Sequence, residues 1–203
     1  MARILRSFAR LRSSGLRALA AGAFCALLFG ACASSAEIQN SRMGQLLNQD
    51  GVLTLVNLHP DEVRSSLYAA NFQQDGLIPA GSAVRLDALN GKVLKFTVLD
   101  TARTYQYRNH NASGEPFMAH LERIFGTEDP SAEIAGLCQE DQDGIAQGRA
   151  LPGMTRRGVY LAMGPPPRNI TPTQEAPVWQ YHRNRWGPKI KVSFDSDGIV
   201  VGD

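Results

Sequence analysis

The chain has few cysteines and no long apolar run, and both absences limit what it can be. Only 3 of its 203 residues are cysteines. The apolar stretch that precedes Cys32, residues 18–31, is 14 residues long, whereas a helix that spans a bilayer needs about 20. The sequence therefore does not predict a polytopic membrane protein. An apolar content of 43% with 20% charged residues also argues against wholesale disorder.

Acidic residues are absent from the first 31 positions, which contain five arginines. The whole chain has 21 basic and 19 acidic residues and a formal charge of +2. Without residues 1–31 it has 16 basic and 19 acidic residues, a charge of −3. The positive charge therefore belongs to a targeting segment, and the sequence predicts no nucleic-acid partner.

Residues 1–31 are organised as a secretory signal peptide, with an arginine-rich start, an apolar segment and small residues at the end. The sequence Leu28-Phe29-Gly30-Ala31-Cys32 resembles the lipobox of bacterial lipoproteins. The resemblance implies that Cys32 is acylated and becomes the new N-terminus. It also implies a periplasm-facing anchor in the outer membrane, because Ala33 rather than Asp follows the cysteine. A mitochondrial presequence is the alternative for this segment.

The predicted processing leaves one free thiol. Cys25 departs with the signal and Cys32 carries lipid, so Cys138 has no partner for an intramolecular disulfide. We predict that Cys138 is a small buried side chain rather than a nucleophile. Residues 32–50 are predicted to form the acylated cysteine and a flexible tether.

Short alternating strands predict a small antiparallel β domain over residues 51–127. The strand candidates and the helix after them are 51–58, 83–86, 93–99, 104–108 and 116–125. Asn90-Gly91 predicts a two-residue hairpin turn with positive φ at both positions. The segment 77–107 resembles an SH3-like barrel. Residues 128–140 are predicted to be a linker.

The C-terminal region, 141–203, alternates helical and strand patterns. Helices are predicted over 141–149 and after Thr155, a good N-cap residue, with Gly164 closing the second. Gly158 stands where a capping box would have Glu or Gln, so the second helix lacks that reciprocal bond. Strands are predicted over 178–182, 189–194 and 199–201.

This region carries a resemblance to a known family. Its motifs are Gly153-Met154-Thr155, Met163-Gly164-x-Pro166, Trp179-x-Tyr181, Val192-x-Phe194 and Gly198-Ile199-Val200. They resemble the SmpA/OmlA family, which includes BamE. The resemblance implies two helices packed on a three-stranded antiparallel sheet, and hence an α+β chain with a BamE-like ααβββ domain over 141–203. It also implies an accessory role in outer-membrane protein assembly, through contacts with envelope proteins or lipid.

The loop between the last two long strands is the predicted binding surface. It combines arginines with a tryptophan, the residue types that are enriched at binding hot spots and lipid interfaces. The candidate binding residues are Tyr181, Arg183, Arg185 and Trp186. The alternative is a solvated turn in which the Trp186 ring folds over the sheet edge.

Signatures of catalysis are missing from the sequence. It has no His-Glu-x-x-His helix, no Gly-x-Ser-x-Gly, no phosphate-binding loop and no dinucleotide fingerprint. We therefore predict a non-catalytic protein without metal or cofactor. Two alternatives stay open. One is an envelope peptide- or peptidoglycan-binding module that acts through the β domain. The other is a metal-dependent hydrolase that uses His110 and His120 with Glu115 or Glu122.

Overall fold

The computed structural model describes residues 36–202, and a six-stranded sheet is its largest element. The strands are β1 (Val52–Thr54), β2 (Ser66–Tyr68), β3 (Ala83–Leu89), β4 (Val93–Val98), β5 (Arg103–Arg108) and β6 (Phe125–Gly126). Their order is β2-β5-β4-β3-β1-β6. The β2–β5 pair is parallel and the other pairs are antiparallel. The short β2 therefore lies at one edge of the sheet.

The central hairpin of this sheet follows the predicted alternation. Leu94, Phe96 and Val98 of β4 are buried, as expected for one face of a strand. Asn90-Gly91 does form the turn, but neither residue has a positive φ, so the predicted turn type is wrong. Instead, the Asn90 side-chain oxygen accepts hydrogen bonds from the Lys92 and Val93 N–H groups, each at 2.9 Å.

The α-helices with bounds inside the described residues are short. They are α1 (Arg42–Gln45), α2 (Phe117–Glu122), α3 (Ser131–Ala135), α4 (Gln139–Gln147) and α5 (Arg156–Met163). The helix predicted over 116–125 stops early, because Phe125 and Gly126 pair with β1 instead. Among residues 36–202, no helix combines the length and the hydropathy that a membrane crossing requires.

Helix α5 begins at the predicted cap. The Thr155 hydroxyl accepts a hydrogen bond from the Gly158 N–H at 3.0 Å. The Thr155 N–H donates to the buried Asp141 carboxylate at 2.8 Å. In a capping box this N–H would bond to a Glu or Gln of the same helix, whereas here the acceptor comes from α4. A Cβ on Gly158 would lie 1.8 Å from Asp141 Oδ1, which explains the glycine at this position.

The prediction that Cys138 is buried is wrong. Cys138 occupies the N-cap position of α4, and its side chain is exposed rather than buried. Helix α4 buries its other side, where Gly144 lies so close to Met154 that a Cβ would clash with the sulfur. Gly148 ends α4 with a φ of 64°.

The C-terminal region contributes an antiparallel hairpin, β7 (Val178–His182) and β8 (Lys189–Ser193). Strand β7 has the predicted bounds. The predicted last strand, 199–201, makes only isolated bridges from Ile199 to Thr155 and from Val200 to Phe194. The α+β class is confirmed, and the structure does not show a regular three-stranded sheet at this place.

Residues 38–202 belong to one compact unit that includes both predicted domains. The Asn57 N–H donates to the Leu161 carbonyl at 2.8 Å, and the Asn57 side chain donates to the Ile145 carbonyl at 2.7 Å. These bonds join the segment that follows β1 to α4 and α5. The segment 128–140, predicted as a linker, contains α3 and the first residues of α4. Within the predicted tether, 32–50, Met43 is fully buried in the shared core.

Candidate binding site at the β7–β8 hairpin

The tip of the β7–β8 hairpin is the cationic segment that the sequence analysis selected as a binding surface. We define the hairpin tip as Arg183, Asn184, Arg185 and Trp186, and all four side chains are exposed. Asn184 shapes the turn, because its side-chain oxygen accepts hydrogen bonds from the Trp186 N–H at 2.9 Å and from the Gly187 N–H. The turn therefore holds its neighbours in a defined arrangement rather than in an unbonded loop.

Trp186 points away from the core. Its exposed fraction is 86%, so the alternative in which its ring folds over the sheet edge is wrong. The Arg185 guanidinium lies 4.9 Å from the centre of the Trp186 ring, within the range of a cation–π contact. Such a contact is worth about 0.5–1 kcal/mol at an exposed site. Stacking leaves the N–H edge of the guanidinium available to a partner.

A surface groove of about 660 Å³ lies beside the tip. One wall is the hairpin tip, and the other comes from the segment around β2 and from the end of β5. The lining residues are Asp61, Arg64, Tyr68, Phe72, Gln74, His110, Asn184, Arg185 and Trp186. The groove exists because the chain after β2 pairs with β7: Phe72 and His182 form a parallel bridge, and the Gln73 N–H donates to the His182 carbonyl at 2.9 Å.

Aromatic rings form the floor of this groove. Phe72 lies at the centre, with ring centroids 5.2 Å from Tyr68, 5.4 Å from His110 and 5.7 Å from His182. These distances fall in the range preferred by tilted and edge-to-face pairs. The floor is therefore packed, and the half-buried Tyr68 and exposed Trp186 remain as the rings that a ligand can contact.

The charge of the groove comes from its arginines. Arg64 forms an ion pair with Asp61 at 2.8 Å, and hydrogen bonds from Arg64 hold the pKa of Asp61 below its usual value. Burial and the nearby Arg185 lower the pKa of His110. Burial, Lys189 and His110 lower the pKa of His182 in the same way. Both histidines are therefore neutral at neutral pH, and Arg185 provides the unpaired charge.

The structure separates the four predicted binding residues. Arg183, Arg185 and Trp186 lie together on the surface. Tyr181 is fully buried, and its hydroxyl donates to the Gly164 carbonyl at 3.1 Å. Its assignment to the surface is therefore corrected, because the inward face of β7 carries both Trp179 and Tyr181. Cys32, the predicted lipidation site, lies outside the described residues.

His110 and His120 have different partners in the structure. His110 borders the groove, and its Nδ1 accepts from the Ala112 N–H at 3.1 Å. His120 is 1% exposed, with Nδ1 2.7 Å from Glu115 and Nε2 2.9 Å from the Tyr107 hydroxyl. Within residues 36–202, no three His, Cys, Asp or Glu side chains are grouped so that they could hold a metal ion.

Sequence reasoning missed the second wall of the groove. Tyr68 and Phe72 belong to the short apolar segment 67–72, which is not among the strands predicted above. Their partners on the hairpin lie more than 100 positions later in the chain. A local sequence pattern cannot predict a pairing over this distance. The apolar and aromatic residues in 67–72 indicate only that the segment is buried.

Comparison with known proteins gives no further assignment. No family model, no curated protein and no solved structure matches this chain.

Proposed function

We propose that this chain is a non-catalytic, lipid-anchored protein of the bacterial outer membrane that faces the periplasm. In this role it acts as an accessory or scaffold factor for outer-membrane protein assembly or envelope integrity. The lipobox-like sequence that ends at Cys32 supports the anchor. The observation that carries the binding role is the exposed Trp186 stacked on Arg185 beside an aromatic groove.

The same proposal treats residues 141–203 as a BamE-like domain and 51–127 as SH3-like. Two successive helices, α4 and α5, followed by the β7–β8 hairpin support the first comparison. The antiparallel β3-β4-β5 meander supports the second. Tyr105 and Tyr107, which would line a peptide groove on the β domain, are 4% and 2% exposed. We therefore place binding at the hairpin tip rather than on the sheet.

The anchor is tested by metabolic labelling with a palmitate analogue in a Gram-negative host, followed by mass spectrometry of the mature N-terminus. The expected result is a diacylglyceryl group on Cys32 and removal of residues 1–31. The Cys32→Ser variant should lose the label, whereas the Cys138→Ser variant should keep it. Label on Cys138, or an unmodified Cys32 in the exported protein, would contradict the proposal.

The binding role is tested by in vivo cross-linking, purification of the tagged protein and quantification of co-purified envelope proteins. The double variant Arg185→Gln/Trp186→Ala should lose the specific partners. Lys92→Gln and Leu99→Ala remove an exposed cation and an exposed apolar side chain at the β3–β4 and β4–β5 turns. Neither residue lines the groove, and both variants should retain those partners. Recovery of murein fragments instead of envelope proteins would favour the peptidoglycan-binding alternative.

A further inference from the structure

Two apolar side chains protrude into solvent on the face around the groove. Val63 and Trp186 are 94% and 86% exposed, the highest values among the large hydrophobic side chains of the described residues. Val63 lies on the turn that begins at Asp61, and a small hollow adjoins the groove there. This hollow is lined by Val63, Arg183 and Asn184 and by the acidic side chains Asp61, Glu62 and Asp75. Glu62 is paired with Arg103, whereas Asp75 forms no ion pair among the described residues. Single exposed apolar side chains are common on protein surfaces, so the groove bordered by Trp186 is the feature that marks this face as an interaction surface.

The charge on this face is asymmetric. From residue 177 to residue 194 the sequence has two arginines and two lysines but no Asp or Glu. Among the described residues, neither Arg183 nor Arg185 forms an ion pair, and Arg64 on the opposite wall already neutralises Asp61. The hairpin side of the groove therefore presents positive charge and N–H donors that have no internal partner.

The geometry of Arg185 favours carboxylate ligands. Its guanidinium lies against the Trp186 ring, and the five N–H donors of an arginine form a planar fork. A planar guanidinium held in this way binds a carboxylate through two parallel hydrogen bonds. An apolar side chain next to that carboxylate would then lie between Trp186 and Tyr68, the two rings that remain accessible.

We propose that the groove binds an acidic segment of a partner protein, with a carboxylate on Arg185 and an aromatic or aliphatic side chain between Trp186 and Tyr68. This inference rests on the proposed function, since it names the chemistry of the partner that the hairpin tip recognises. It requires no change in the packed floor of the groove, because Phe72 stays buried beneath the ligand.

The test is selection from a phage-displayed random 12-residue peptide library on the purified full chain. Enriched peptides should contain at least two Asp or Glu residues beside an aromatic or large aliphatic residue. Fluorescence anisotropy with the most enriched peptide should show at least tenfold weaker binding to Trp186→Ala and to Arg185→Gln. Binding to Lys92→Gln and Leu99→Ala should stay within twofold of the original chain. Circular dichroism checks that every variant is folded.

Several outcomes would overturn the inference. They are basic consensus peptides, no enrichment at all, or enriched peptides that bind Trp186→Ala as well as the original chain. A parallel arm measures binding to phosphatidylglycerol vesicles. Trp186-dependent vesicle binding without peptide enrichment would show that this face contacts a membrane instead. If the peptides fail while cross-linked partners still depend on Trp186, the proposed function stands and only the partner chemistry is wrong.

Discussion

Similar residue types serve opposite purposes in two regions of this molecule. The interior cluster is defined as Tyr107, Glu115, His120 and Arg123. The Tyr107 hydroxyl is hydrogen-bonded to His120, and Glu115 accepts hydrogen bonds from both His120 and Arg123. The hairpin tip also contains an aromatic ring and arginines, but they face solvent. Polar groups that are satisfied internally stabilise a fold, whereas those left without a protein partner are available to a ligand.

The cause of the difference is burial. Burial alone would raise the pKa of Glu115, but the hydrogen bond from His120 and the charge of Arg123 hold it below its usual value. Burial lowers the pKa of His120 and raises that of Tyr107. The cluster is therefore a neutral His and Tyr beside a carboxylate and a guanidinium, with each charge opposed by another. At the hairpin tip, no acidic side chain of the described residues pairs with Arg183 or Arg185.

The largest effect should come from breaking the interior cluster. Glu115→Ala removes the acceptor shared by His120 and Arg123, and its side chain is only 5% exposed. Loss of one partner of a buried pair costs about 3 kcal/mol or more of unfolding free energy. Urea denaturation would measure it. Glu133→Ala is the matched control, because the exposed Glu133–Arg157 pair should contribute about 1 kcal/mol or less. Equal losses in the two variants would mean that the buried cluster stabilises the fold no more than an exposed ion pair does.

An intermediate effect is expected where α4 caps α5. Asp141→Ala leaves the Thr155 N–H without its acceptor and should cost about 1–2 kcal/mol. Gly158→Glu alone should also destabilise, because its Cβ would clash with Asp141. In the double variant the introduced glutamate has room to reach back to Thr155, so the loss should fall short of the sum by about 1 kcal/mol. Strict additivity in a double-mutant cycle would refute this interpretation of the cap.

A smaller effect is a dependence of stability on pH. Because the pKa of folded His120 lies below its ordinary value of 6.5, the folded state binds fewer protons than the unfolded state. Stability should therefore be complete above pH 6.5 and decline as the pH falls below it. His120→Gln should flatten this decline more than His110→Gln does, since His110 is only partly buried. Thermal unfolding from about pH 5 to about pH 8 would measure both slopes, and a steeper effect of His110 would contradict the assignment.

The smallest effect on stability should come from Trp186→Ala. The side chain is 86% exposed and contacts the Arg185 guanidinium, so the unfolding free energy should change by no more than about 0.5 kcal/mol. The same variant should lose the cross-linked partners. A stability loss comparable to that of Glu115→Ala would mean that Trp186 supports the fold, and the comparison between the two regions would fail.

Local sequence patterns were sufficient to predict several strands and the start of one helix. The alternation in 178–182 gave the bounds of β7, and Thr155 caps α5 as its residue type predicts. Predictions failed where distant contacts decide the outcome. Tyr181 is buried because β7 turns that face inward, and Phe125 leaves its predicted helix to pair with β1. The second wall of the groove depends on the bridge from Phe72 to His182, which local patterns do not encode.

The most direct test of the binding surface is photo-cross-linking in living cells with benzoylphenylalanine in place of Trp186 or, as a control, of Leu99. Both positions are exposed, but only position 186 borders the groove. We predict a discrete adduct with an envelope protein from position 186, lost when Arg185→Gln is added, and none from position 99. The same adducts from both positions would contradict the account. So would an adduct from position 186 that persists when Arg185→Gln is added.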